Sequence, residues 1–313
     1  MTAGLDAEAS QRRLPIVDAV APPERLAMLR ILVGTFAVVY LLIRLPVFLQ
    51  LGDRRSGFEA VGFARFLDGP VPGGLVDATV VVTAVCGVGF VLGWRFRVVG
   101  PLFAIGMLAL GTYRGSWGQL LHFENLMVLY LLIVALSPSE DAWSLDARRR
   151  SRAVPQVPEE TTRYGWPVAL AALVLVTTYV IAGVAKLRYG GLDWVLGDTL
   201  RNHVAYSATR LDLLGGTPSP FADWVVGLDG IWPIAAAATI VIELAAPVAL
   251  LGGPARTIWV VATWSMHVGI LAFMLIGFPM PLSLVAFAPL FRIERLWTGR
   301  PAWLLAGAGQ REA

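Results

Sequence analysis

Long apolar stretches of this chain are interrupted by short clusters of charge, proline or glycine. Runs near the roughly 20 residues needed to cross a hydrocarbon core predict membrane-spanning helices. Eight such spans follow from the pattern: 26–51, 75–94, 98–113, 120–136, 166–187, 231–251, 258–277 and 281–291, the last short enough for a half-span. Because a bundle tolerates both long tilted helices and interrupted ones, the count carries an error of about one. The expected fold class is all-α, a polytopic transmembrane helical bundle of seven to nine spans.

The segments between the spans differ in character. Residues 52–74 and 188–230 hold Phe58, Phe63, Phe66, Trp194, Tyr206, Phe221 and Trp224, enough apolar surface to lie at the membrane interface and cap a cavity. Residues 146–163 (DARRRSRAVPQVPEETTR) are polar, charged and proline-bearing, which reads as a solvated inner linker between two halves of four spans. Residues 1–25 lack the compact apolar core of a cleavable signal peptide, so the first span is expected to act as the insertion signal. The domain reading is a short N-terminal segment 1–25, a transmembrane domain 26–291 and a tail 292–313. No internal repeat is visible.

Composition strengthens the membrane reading. The chain is 57% hydrophobic and 15% charged, with a mean hydropathy of +0.67, too apolar for an ordinary soluble domain. Its pI near 9.3 does not imply nucleic acid, because the basic residues fall between spans instead of forming one basic face. Twenty-four of the 25 basic residues are arginine, and Lys186 is the exception. With the N-terminus inside, fifteen basic residues fall on the inner side and seven outside, while Arg30, Arg44 and Lys186 lie within or at the edges of spans. That asymmetry predicts both termini in the cytoplasm and a multi-pass protein of the plasma (cytoplasmic) membrane, with membrane lipid as a partner. Cys86 has no second cysteine to pair with.

Ionisable groups inside a span are costly and ask for a partner, a cavity or a route to the interface. Arg30 and Arg44 lie roughly 21 Å apart on nearly one face of the first span, and either snorkel to opposite interfaces or clamp an anion. His122 opens the fourth span one turn before Asn125, as a solvated residue or as a chemical one. Glu243 and His267 sit well inside the sixth and seventh spans, where they either tie helices together through Glu-to-His or Glu-to-Arg bonds or belong to a site. Tyr179, Gly183 and Lys186 share one helix face, and Gly183 would let a helix or a flat ligand approach the backbone closely. Lys186 either snorkels or acts: a neutral amine in a low-dielectric site serves as a base, which a guanidinium does not. No HExxH, GxSxG, Walker or CxxC signature occurs, and three scattered histidines predict no metal site.

Several blocks occur in a recognisable order: RLAMLRILVGTFAVVYLLIR, HFENLMVLYLLIVALSPSEDAWSLDA, YVIAGVAKLRYGGLDWVLGDTL, ELAAPVALL and WSMHVGILAFMLIGFPMPLSLVAFAPLF. Together they resemble the HTTM (horizontally transferred transmembrane) domain shared with vitamin K-dependent gamma-glutamyl carboxylase. The AGxxKL…DW block is among the most specific. The resemblance implies a membrane enzyme in which a lysine deprotonates vitamin K hydroquinone or menaquinol. Oxygenation of the quinol then yields a base strong enough to take a proton from a glutamate gamma carbon, to which carbon dioxide adds. Lys186 falls on the family's lysine, His122 on a histidine near the quinone and His267 on a late-helix histidine. Tyr179, Gly183, Trp194 and His267 are the expected quinone-binding residues, with Glu243, Arg30 and Arg44 as further intramembrane polar groups. The carboxylase carries a large extramembrane region after the helices, whereas only 22 residues follow Phe291 here. A peptide substrate or a soluble partner protein is therefore an open expectation. So is a non-catalytic role in maturing or exporting a small secreted peptide, as in sporulation-delaying-toxin maturation. A transporter is the third reading.

Overall fold

The computed structural model of the chain describes residues 19–54, 56–118, 122–151 and 160–298. Most of the N-terminal segment, linker residues 152–159 and the tail from 299 lie outside the described residues. With them go Arg12, Arg13, Arg55, Arg152, Arg300 and Arg311 of the charge count.

Among the described residues the regular structure is helical, with one isolated antiparallel bridge between Ala21 and Thr161. The α-helices in chain order are α1 (Pro23–Ile43), α2 (Leu45–Gln50), α3 (Gly73–Leu92), α4 (Phe96–Gly115), α5 (Asn125–Ala135), α6 (Leu145–Ser151) and α7 (Thr162–Gly190). They continue with α8 (Asp193–Leu196), α9 (Thr199–Leu213), α10 (Ala222–Val226), α11 (Ile231–Leu244), α12 (Gly253–Met274), α13 (Pro279–Leu282) and α14 (Arg295–Thr298). Five of these, α1, α3, α4, α7 and α12, are long and apolar enough to cross a membrane, and α5 and α11 are shorter apolar helices. The protein is membrane-embedded, and its described residues form a helical fold.

Among the described residues five helices have spanning length, against eight expected spans, and proline explains much of the difference. A proline within a helix has no N–H to donate and crowds the carbonyl four residues back. The first expected span breaks at Arg44, and Pro46 sits in the first turn of the separate helix α2. The sixth ends as an α-helix at Leu244 and continues past Pro247 as the 3-10 turns of Ala246–Leu251. The eighth, which holds Pro281 and Pro289 and is preceded by Pro279, gives the end of the four-residue α13 and a 3-10 stretch over Val285–Leu290. The fourth is reduced to a 3-10 turn at His122–Glu124 and the 11-residue α5. Within the expected outer loop 188–230, α8, α9 and α10 form, none of spanning length.

The fold divides into two compact units. One takes in the described residues of Met1–Leu120, Val128–Ala171 and Phe291–Ala313, and the other Leu121–Met127 and Ala172–Leu290. The division falls within α7, not in the linker 146–163.

In the first unit α1, α3 and α4 pack through small residues. A Cβ on Gly87 would lie 2.7 Å from both Phe103 and Val38 side chains, so the missing side chain is what admits the neighbouring helices. Phe90 fills the space between, with ring centroids 5.1 Å from Phe96 and 5.3 Å from Phe103. The turn from α3 to α4 relies on Gly93 at φ +61°, a left-handed conformation that glycine adopts without steric cost. Asp146 then caps α4 by accepting the backbone N–H groups of Arg95 and Phe96 at 3.0 and 2.9 Å.

The second unit packs α11 and α12 with the C-terminal part of α7, and α9 and α10 with α12. A separate apolar cluster of Val204, Ala222, Val225 and Trp232 seats α9 and α10 beside the start of α11. The chemistry-bearing residues of the expected site gather in this unit.

Candidate functional site

The site begins with a close approach of two helices. A Cβ on Gly183 would lie 2.9 Å from Leu244 Cδ2 and 3.1 Å from Glu243 Cβ, so only a glycine on α7 lets α11 come this near. Lys186 stands one turn beyond Gly183. Its Nζ donates to both carboxylate oxygens of Glu243, at 2.6 and 2.7 Å. The lysine side chain is 23% exposed and the glutamate 7%, so the pair sits at the edge of the buried region. Trp194, on α8, presents its ring 5.4 Å from Nζ, within range of a cation–π contact.

A second polar pair lies further into the unit. The Tyr179 hydroxyl is 2.8 Å from Nε2 of His267, linking α7 to α12. Both residues are buried, at 7% and 5% exposure. Trp259 packs edge-on against Tyr179 with centroids 5.3 Å apart, and its Nε1 donates to the Ile242 carbonyl at 2.8 Å, tying α12 to α11. Phe278 lies 4.8 Å from the His267 ring, and Phe123 lies 6.5 Å from Phe278. Trp259, Thr263 and His267 recur every four residues, and with Val260 they are the buried residues of α12. The four-residue step places them along one stripe of the helix.

The sequence-predicted residues therefore separate. Lys186, Glu243, Tyr179, Gly183, Trp194 and His267 come together in the second unit as two hydrogen-bonded pairs walled by aromatic rings. Glu243 pairs with Lys186 and not with a histidine or an arginine. His122 opens the 3-10 turn before α5, and its side chain lies outside the described residues.

Arg30 and Arg44 belong to the first unit. Arg30 is fully buried, and its guanidinium donates to the Ser139 and Trp143 carbonyls at 2.7 and 2.6 Å. It thus pins the turn after α5, a task suited to a planar donor that five N–H groups equip for several acceptors. Arg44 caps the C-terminus of α1, with its guanidinium 5.8 Å from the Tyr40 ring.

Sequence reading overlooked Thr263, whose hydroxyl is buried without a hydrogen-bond partner, and His203, whose ring lies 5.7 Å from Trp194. The signal for Thr263 was available: it sits one helical turn before His267. Among the described residues, no cluster of three His, Cys, Asp or Glu side chains could hold a metal ion.

Chemically, the Lys186–Glu243 pair is a place where one proton can move between nitrogen and oxygen without any heavy atom travelling far. The Tyr179–His267 pair holds an imidazole in a fixed orientation beside flat apolar rings. Such a combination suits a ligand that is aromatic and carries an ionisable hydroxyl.

No curated protein and no solved structure matches the chain. The HTTM domain model matches residues 20–296, which is most of the sequence and includes both units' spanning helices and both polar pairs. The chain belongs to the HTTM domain family.

Proposed function

We propose that this protein is a quinol-linked membrane enzyme in which Lys186 takes the proton of a ring hydroxyl, the quinol being a vitamin K hydroquinone or menaquinol. The observation that carries the reading is the contact of Lys186 Nζ with both oxygens of Glu243. For the amine to serve as a base, its own proton must have somewhere to go. Glu243 Oε1, 2.6 Å away, is that place. As Nζ passes a proton to the carboxylate, its lone pair becomes available for the ring hydroxyl. Once that second proton has arrived, the pair has gone from neutral to singly positive. The positive charge then faces the oxygen that has become negative, which stabilises it electrostatically.

The family expectation of a quinol fits the residues around the pair. Trp194, Tyr179, Trp259 and Phe278 offer flat apolar faces, and His267 carries a buried Nδ1 with no hydrogen-bond partner. When bound, the quinol supplies the reducing electrons for oxygen. The chain's own part is to orient the ring and to hold and move protons at Lys186 Nζ and Glu243 Oε1. Membership of a family that shares its domain with vitamin K-dependent carboxylase supports the same reading.

Mass spectrometry of lipids extracted from protein purified in mild detergent tests it. Menaquinone or a related quinone in stoichiometric amount, lost from Lys186→Ala, is the expected result. Absence of quinone from the wild type would overturn it.

A second reading, a non-catalytic membrane partner for a small secreted peptide, draws on the apolar side chains exposed from the end of α7 to the start of α11. Tyr189, Leu192, Leu196, Leu213 and Trp224 are 82, 74, 70, 80 and 63% exposed. It predicts a specific peptide precursor co-purifying in detergent and function indifferent to Lys186→Ala. Failure of both results would dismiss it.

A further inference from the structure

We infer that Thr263 and His267 form a buried subsite for one neutral oxygen, a hydroxyl or carbonyl carried on a flat ring. It rests on the quinol reading only for which ring that is.

Thr263 is 0% exposed and His267 5%, and neither Thr263 Oγ1 nor His267 Nδ1 has a hydrogen-bond partner. Folded proteins leave few buried polar atoms unsatisfied, and two on successive turns of one helix face are not an accident of loose packing. The rest of that face is well satisfied: Trp259, one turn earlier, donates to the Ile242 carbonyl. A threonine inside a helix commonly turns its hydroxyl back to the carbonyl four residues before, as Thr79, Thr83 and Thr178 do. Thr263 does not.

The bond from Tyr179 to Nε2 restricts what the subsite accepts. If the phenol donates, Nδ1 carries the hydrogen and is a donor; if Nε2 donates, Nδ1 is an acceptor. The Thr263 hydroxyl serves in either sense. A carbonyl oxygen takes both hydrogens in the first case, and a hydroxyl gives one and takes one in the second. An anion fits neither well, because the ammonium of Lys186 is already engaged by both oxygens of Glu243. The Phe278 ring, 4.8 Å from the imidazole, supplies an apolar face for the ring that bears the oxygen.

The test uses the full chain in detergent with two probes that share a ring system, menadione and 2-methylnaphthalene, which lacks both oxygens. Wild type should bind menadione at least about tenfold tighter than the hydrocarbon. Thr263→Val, equal in shape without the hydroxyl, should weaken menadione about tenfold and leave the hydrocarbon within about twofold, while Thr263→Ser retains the preference. Without ligand, Thr263→Val should melt no lower than wild type, because it removes an unsatisfied polar atom. Affinity falling while stability holds is the signature that a merely structural hydroxyl would not give. Menadione binding that ignores Thr263→Val overturns the subsite and leaves the quinol reading standing. A ligand-free Thr263→Val that melts well below wild type also overturns it, assigning the hydroxyl to folding or to a buried water. No menadione binding by wild type overturns both.

Discussion

The hydroxyl of Tyr179 and Nε2 of His267 lie 2.8 Å apart, joining residues 88 positions apart in sequence and holding α7 to α12 at a buried point. That bond is coupled to which imidazole nitrogen carries a hydrogen, and so to whether Nδ1 donates or accepts. Tyr179→Phe removes it and leaves Nε2 buried without a partner. The expected cost is about 1–3 kcal/mol of stability, read by thermal unfolding in detergent. A variant as stable as wild type would mean that the bond contributes nothing.

Lys186 and Glu243 should behave as a unit. Replacing one alone with methionine strands the other's charge in a largely buried position, at an expected cost of about 2–4 kcal/mol. The double variant should recover most of that loss, since two apolar side chains of similar size need no partner. Additive losses in the double variant would show that the two residues do not depend on each other.

Gly183 sets the distance between α7 and α11. Gly183→Ala forces Leu244 and Glu243 to give way by a few tenths of an ångström, with an expected penalty of about 1–2 kcal/mol. Gly183→Leu should separate the helices and prevent Glu243 from reaching Lys186. Quinone retention measured across glycine, alanine and leucine should fall in that order; retention unchanged in the leucine variant would contradict the close approach.

Acid should weaken one particular tie in the first unit. Burial alone would push the Glu294 carboxyl up, but two hydrogen bonds from Arg25, at 2.9 Å each, together with its backbone bond and Arg292, hold it below its ordinary value. A carboxylate lowered on folding adds stability above its unfolded value, and that stability is lost as pH falls through the lower folded value. The stability difference between wild type and Arg25→Ala should therefore be full near neutral pH and shrink below the ordinary glutamate range. A difference constant from neutral pH down to pH 3, about one unit below the unperturbed value, would show that Glu294 is not the group responsible.

Much of the helical fold was legible because apolar length is a one-dimensional property. Continuous helices of spanning length were less legible, because apolar length was weighed without the prolines: Pro46, Pro247, Pro281 and Pro289 sit where expected spans break or shorten. The candidate site was legible as a set of residues and not as an arrangement. Lys186 stood out as the single lysine, and Tyr179, Gly183 and Lys186 share a face by helical spacing alone. That Glu243, 57 residues on, would meet Lys186 and leave His267 to Tyr179 depends on how α7, α11 and α12 pack. Thr263 escaped notice despite lying one turn before His267, because an intramembrane threonine ordinarily satisfies itself and the packed helix is what shows that this one does not. Arg30 was read as an interfacial or anion-binding group, while its partners, the Ser139 and Trp143 carbonyls, are backbone atoms that no residue pattern advertises.

Oxygen-dependent oxidation of menaquinol by purified protein in lipid vesicles, compared between wild type and Lys186→Arg, tests Lys186 as the proton acceptor most directly. Arginine keeps the positive charge and can still pair with Glu243, but it does not give up a proton to become a base. Wild type should turn over, and the variant should lose at least about a hundredfold with its folding and quinone content retained. Turnover by Lys186→Arg at the wild-type rate would contradict the assignment of Lys186 as the proton acceptor.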